Sequence, residues 1–215
     1  MLISMPIPPQ TGDNRKTCNA SRLDTASYRA TNDANSSKGS VASSSVSRDF
    51  APKADQLLIN NRDFAERFED SDLAVAPSMR LAVVACMDSR MDIFKILGLS
   101  NGEAHIVRNA GGVVTDDVIR SLCLSQRSLG TREIVLLHHT DCGLQRVDED
   151  EFTAELEAEV GIKPRWSLEP FTDPFADTRQ SMQRLQLTPF VDAQNVRGFV
   201  YDVADGRLHE VTQAQ

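Results

Sequence analysis

The sequence predicts an α/β domain, a mainly parallel β-sheet flanked by helices. Two short apolar runs, "RLAVVAC" at 80–86 and "REIVLLHH" at 132–139, have the length and composition of strands buried on both faces. Segments of helical period with recognisable start and stop residues lie around them. Strands that alternate with helices build a parallel sheet covered on both sides, because each crossover lays its helix back on the sheet.

The elements follow in order. Residues 1–52 are rich in Ser, Asn, Asp and Thr and carry no hydrophobic period ("TNDANSSKGSVASSSVSRDF"). Such a segment buries too little surface to offset its ordering entropy, so a disordered tail is expected before a folded domain over 53–215. Leu57, Leu58, Phe64, Ala65 and Phe68 then recur at helical spacing and predict an amphipathic helix over about 54–69. The run at 80–86 is the first strand and "EAHIVRN" at 103–109 the second. "TDDVIRSLCLSQRSLG" reads as a helix, with Thr115 as N-cap, Asp116 and Asp117 in its first turn and Gly130 as its stop. The third strand is 132–139. "DEDEFTAELEAEVG" starts another helix, where Asp148 and Glu151 have capping-box spacing and Gly161 marks the end, so the acidic run is a solvated helix start. "TDPFADTRQSMQRLQL" predicts a further helix. "VRGFVYDV" and "RLHEV" close the chain as strands around the turn Asp205-Gly206.

Bulk properties narrow the function classes. The chain has 215 residues, 40% of them apolar, which suffices for one substantial core. A formal charge of −8 argues against nucleic acid or an anionic membrane as partner. No apolar run has the length of a membrane span. The opening "MLISMPIPPQ" lacks the basic and then long apolar stretches of a secretory signal. A cytoplasmic location is therefore expected, with organelle targeting by the tail left open. Of the four cysteines, Cys18 sits in the polar tail as a free thiol, and Cys123 falls in an apolar helical pattern as a small core residue. A chain of this size without an export signal has little need of disulfides, which leaves Cys86 and Cys142 for metal binding or catalysis.

In open α/β sheets, sites form at the carboxyl ends of strands. Cys86 ends the first strand, while His139 and Cys142 sit at and just beyond the end of the third. If those strands are neighbours, two thiolates and an imidazole converge, a tetrahedral zinc set with a fourth position left for water. His138 should face the other way by strand alternation. Asp88 and Arg90 follow Cys86 closely, and an arginine fork can hold a carboxylate ionised and oriented toward the metal. That carboxylate could also swing onto the metal. Singly, Asp88–Arg90 reads as a turn ion pair and His139 as a core histidine. The pairing of C-x-D-S-R with H-x-x-C, each at a strand end, favours the site.

"CMDSR" with "HHTDCG" resembles the β-class carbonic anhydrases, and "GEAHIVRNAGGVVTDDVIRSL" with "SQRSLGTREIVLLHHTDCG" resembles the compact members of that family found in actinobacteria and relatives. The resemblance runs from about residue 54 to the end. It implies a β-carbonic-anhydrase-like fold, zinc on Cys86, His139 and Cys142, and Asp88 with Arg90 as the catalytic dyad. It also implies reversible hydration of carbon dioxide to bicarbonate, in a homodimer or dimer of dimers. Bicarbonate-regulated relatives carry a tryptophan three residues before the first cysteine ligand; here Val83 stands there. Arg108 matches an arginine of their bicarbonate pocket, but alone it reads as a structural ion-pair partner, and that regulation is not carried over.

Other chemistries fit less well. A phosphatase-type thiol needs an arginine six residues after the cysteine, where Asp92 stands. "NAGGVV" lacks dinucleotide-loop spacing, and no C-x-x-C is present. A non-catalytic zinc or thiol sensor is the alternative of a different class. Within the family, hydrolysis of carbonyl sulfide or carbon disulfide on the same zinc set is the nearer alternative.

Overall fold

The computed structural model describes residues 51–212. The Ser-rich tail expected over 1–52, and Cys18 with it, lies outside the described residues except for the exposed Ala51 and Pro52. The elements are α1 (Ala54–Ala65), β1 (Leu81–Cys86), α2 (Ile93–Leu97), β2 (Ala104–Asn109), α3 (Asp116–Leu129), β3 (Glu133–His139), α4 (Glu149–Val160), α5 (Pro174–Leu187), β4 (Val196–Tyr201) and β5 (Leu208–Val211). Tight 3₁₀ turns follow β2 and β3 at Ala110–Gly112 and Gly143–Arg146.

The sheet has the order β2-β1-β3-β4-β5. Its first four strands are parallel, and β5 returns antiparallel to β4 across the Asp205-Gly206 turn. The chain passes from β1 to β2 on one side, then crosses back to place β3 on the other side of β1. The carboxyl ends of β1 and β3 therefore flank the point where the winding direction reverses, which is where such sheets open a crevice. Among the described residues no helix is long and apolar enough to cross a membrane.

All six residues of β1 are buried, as its unbroken apolar run requires for a central strand. Alternation splits them between two cores. Leu81, Val83 and Ala85 join Val135 and Leu137 under Met91, Ile93, Leu144 and Phe171. Ala82 and Val84 join Ile134 and Leu136 under Val118 and Leu122 of α3 and Met182 and Leu185 of α5. Each of these Val, Leu, Ile, Met and Phe side chains contributes ~1.5–3 kcal/mol by leaving water. Close packing of α5 on β4 explains Gly198, where a Cβ would lie 2.5 Å from Thr178 Cγ2 and 2.8 Å from the Met182 sulfur.

Helix boundaries follow the side chains that predicted them. Thr115 accepts from the Val118 amide and Gly130 stops α3 in the left-handed conformation. Asp148 caps α4 in the same way, and Asp173, which the sequence reading did not single out, caps α5. At α4 the Asp148 carboxylate accepts from the Glu151 amide at 2.9 Å, the forward half of the expected box. Glu149 is used differently, accepting from Ser167 Oγ and the Leu168 amide across the loop. Helix α2 has no counterpart in the sequence reading. The predicted N-terminal helix forms but stops at Ala65, short of Phe68, and buries none of its residues, leaving Leu57 and Leu58 more than 60% exposed.

Candidate metal centre

Cys86 ends β1 with its sulfur buried, and the backbone around it is held from two sides. Arg108, on the paired strand β2, donates from Nε to the Cys86 carbonyl (2.9 Å) and from Nη2 to the Asp88 carbonyl (2.7 Å). This corrects the expected ion-pair role, because Arg108 grips backbone oxygens at the strand end. Gly112, at φ +74°, passes so close that a Cβ would lie 2.8 Å from the Cys86 amide nitrogen. Only glycine allows both that conformation and that approach.

β3 runs beside β1 and delivers His139 and, after two residues, Cys142. Their ligand atoms and Cys86 Sγ all lie within 4.8 Å of one another, and all three side chains are buried. The two sulfurs are 3.9 Å apart. His139 Nδ1 lies 2.8 Å from the Thr140 carbonyl, an oxygen that can only accept, so Nδ1 carries the proton. Nε2 is left as a bare lone pair, buried and without a hydrogen-bond partner. Cys142 is pinned by Gln145, whose Oε1 accepts from the Cys142 amide (2.8 Å) and whose Nε2 donates to the Thr172 carbonyl (2.8 Å).

Asp88 approaches the trio, with Oδ2 3.8 Å from His139 Nε2. Arg90 forks onto it: Nε donates to Oδ1 at 2.9 Å and Nη2 to Oδ2 at 2.8 Å, and the Arg90 amide also donates to Oδ1. The same guanidinium reaches the β3 loop. Nη1 donates to Asp141 Oδ2 and Nη2 to the Asp141 carbonyl, each at 2.9 Å. Arg146 pairs with the other Asp141 oxygen. Asp141 itself sits at φ +54°.

Charges follow from these contacts. The Arg90 hydrogen bonds hold the Asp88 carboxyl well below the usual carboxylate range. The hydrogen bond between the sulfurs lowers Cys86 and raises Cys142, because without a cation two adjacent thiols do not both ionise. At His139 burial opposes protonation, but the Cys86 sulfur, the Thr140 carbonyl and Asp88 together outweigh this and the ring is raised. This is an environment that one cation would resolve, since it would let both thiols ionise.

His138 is absent from the trio, as alternation predicts. Its ring is fully buried, 5.6 Å from the Phe171 ring, with Nδ1 3.2 Å from Asp177 Oδ2 on α5. Cys123 packs against the α3 core and is absent from the trio, as expected. Val83, at the position of the regulatory tryptophan, is a core residue. A second trio, Asp202, Asp205 and His209, lies on the exposed hairpin. Its carboxylates already accept from the amides of Ala204 and Arg207, so they serve the turn. A pocket of about 670 Å³ is lined by Phe171, Asp177 and Arg184 and by Gln145, which holds the Cys142 amide, but by no member of the trio. Sequence reading missed Asp141 and Gln145, both of which act through the loop after β3.

Known proteins bear directly on this arrangement. Residues 81–166 match the family model described as carbonic anhydrase. The chain is 54% identical over 159 residues to β-carbonic anhydrase 1 of Mycobacterium tuberculosis, covering 74% of this chain and 97% of that protein. A carbon disulfide hydrolase of Acidithiobacillus thiooxidans is 41% identical over 158 residues, covering 63% of this chain and 79% of that one. Among solved structures, a carbonic anhydrase from Streptococcus mutans superposes with a TM-score of 0.71 at 41% identity, over 76% of this chain and 99% of that one.

Proposed function

The chain belongs to the β-carbonic anhydrase family, and on that premise we propose that Cys86, His139 and Cys142 hold one zinc ion at which carbon dioxide is reversibly hydrated to bicarbonate and a proton. The observation that carries this reading is the convergence of two buried sulfurs and an unpartnered imidazole Nε2 at the reversal point of the sheet. Their chemistry fits the ion. Two thiolates on a tetrahedral zinc, with bonds of ~2.3 Å, stand ~3.8 Å apart, and the sulfurs here are 3.9 Å apart. Zinc held by three protein ligands supplies Lewis-acid activation of a water molecule.

The chain's own residues do the rest. The Thr140 carbonyl fixes the His139 tautomer and aims Nε2 inward. Asp88, kept ionised by Arg90, is an acceptor next to the centre, and its Oδ2 would accept a hydrogen bond from the reacting water and orient it. Arg90 in turn holds that carboxylate on its guanidinium. Buried Leu144, Phe171 and Val113 close the side of the site toward the core.

A second reading, hydrolysis of carbon disulfide or carbonyl sulfide, is favoured by the similarity to carbon disulfide hydrolases. These substrates are linear and uncharged like carbon dioxide, so the trio cannot discriminate among them. Higher identity over more of the chain supports carbon dioxide. One zinc-loaded preparation assayed on both substrates decides: kcat/KM for carbon dioxide should exceed that for carbonyl sulfide by at least about tenfold, ~1.4 kcal/mol in transition-state binding. Cys86→Ala and Cys142→Ala should lose both zinc and hydration activity. A reversed ratio, or full zinc retention in both variants, overturns the assignment.

The exposed apolar residues of α1 support a homodimer or dimer of dimers, in which a second copy covers Leu57, Leu58 and Phe64. Deleting residues 1–50 should leave assembly and activity intact, whereas deleting through Asp70 should give aggregated or inactive protein. A stable, active monomer from the longer deletion, identified by light scattering, refutes it.

A further inference from the structure

Asp88 is only as well placed as Arg90, and Arg90 is a long side chain, 45% exposed, at the mouth of the site. Its grip on Asp88 spans just two residues of chain and does not by itself fix the pair relative to β3. What ties it there is Asp141. The guanidinium is shared between two carboxylates: one edge forks onto Asp88, while Nη1 reaches Asp141 Oδ2 and Nη2 also reaches the Asp141 carbonyl. Asp141 lies between His139 and Cys142, so this contact couples the loop carrying two of the three metal-competent side chains to the loop carrying the acceptor. We propose that Asp141 is a positioning residue whose carboxylate anchors the Arg90 guanidinium, and through it holds the Asp88 carboxylate at its working position beside the reacting water. The inference rests on the hydration reading and deepens it by naming what aligns the dyad.

The backbone offers a clean test. Asp141 adopts φ +54°, which glycine enters freely and asparagine tolerates. Asp141→Gly therefore preserves the turn, and with it the carbonyl that Nη2 uses, while deleting the carboxylate. Asp141→Asn keeps one oxygen able to accept from Nη1, and the exposed Arg146 is free to swing away from the amide nitrogen. We expect zinc content to be unchanged in both variants. For Asp141→Gly, kcat for hydration should fall by about tenfold with KM within twofold, because orientation rather than substrate binding is lost. The retained carbonyl contact limits the loss. Asp141→Asn should restore kcat to within about threefold of the parent, and Arg146→Ala should leave it within twofold.

A role confined to the turn predicts full activity in both Asp141 variants, and that result overturns the proposal. So does loss of zinc in Asp141→Gly, which would place the residue with the metal loop, or an Arg146→Ala loss as large as that of Asp141→Gly. The parent protein measured alongside separates the two levels of inference. A zinc-free, inactive parent sinks the hydration reading and this one with it; an active parent with an indifferent Asp141→Gly sinks this one alone.

Discussion

His138 and His139 are consecutive residues of one strand, both fully buried, and each has an aspartate beside it. They nevertheless occupy opposite electrostatic environments. His139 has one nitrogen tied to a carbonyl, two sulfurs within reach of the other, and an aspartate held ionised by an arginine. His138 lies against Phe171, where burial pushes it down to about 4 despite the opposing pull of the Cys86 sulfur. Its aspartate, Asp177, pairs with no arginine among the described residues, and burial, with some help from Glu169, pushes it up to about 6. A buried His–Asp pair is thus not a site by virtue of burial or proximity. The fixed tautomer, the sulfur neighbours and the guanidinium are what separate the two.

Substitution at each position tests that separation, with the largest effect expected at His139. His139→Ala removes one of three ligands and should cost hydration activity at least ~10³-fold, more than 4 kcal/mol in transition-state stabilisation, together with zinc. His138→Phe replaces a ring whose nitrogens lack well-formed partners with an apolar ring of similar shape. It should keep zinc, hold activity within tenfold and change stability by less than ~1.5 kcal/mol. Metal analysis, hydration assays and denaturant melts on the two variants read all three. An inactive His138→Phe protein that still binds zinc would break the comparison, by giving His138 a part in the chemistry.

The same contrast explains what could be read in advance. His139 was legible because the trio and Asp88–Arg90 fall within a few residues of two strand ends, and alternation separated it from His138. Helices α3 and α4 were legible because they announce their start and stop, as Thr115 with Gly130 and Asp148 with Gly161 do. Helix α2 was not, since five residues are too few to show a period, although Asp92 caps it and Gly98 ends it. Strand order was also hidden. The meeting of Cys86 with His139 depended on β1 and β3 being neighbours, which is decided by how helices pack across the sheet. Arg108 was misjudged for a related reason: it pairs with Ala85 across parallel strands, and that register brings its guanidinium to carbonyls instead of to an acid. The Arg90–Asp141 contact joins residues 51 apart through a positive φ at a non-glycine position, for which local sequence gives no signal.

The smaller effect concerns the aspartate of the inert pair. Asp177 moves from 3.8 in the unfolded chain to about 6 in the fold, because burial disfavours its charge. An acid whose folded value is raised binds its proton more tightly when folded, so it favours the fold at low pH and opposes it as pH rises. The loss of stability accumulates from about pH 4 to about pH 6 and is then complete, at most ~3 kcal/mol. Asp177→Asn cannot ionise, yet its amide oxygen can still face His138 Nδ1. The variant should therefore be more stable than the parent at neutral pH, with an advantage that grows by ~1 kcal/mol between pH 5 and pH 7 and is flat above pH 7. Denaturant melts of both zinc-loaded proteins across that range measure it directly. An advantage that stays constant from pH 5 to pH 8 would mean that Asp177 does not titrate in this window. A variant destabilised throughout would mean instead that the ionised carboxylate is bonded to His138, making the two histidines of β3 more alike than their surroundings indicate.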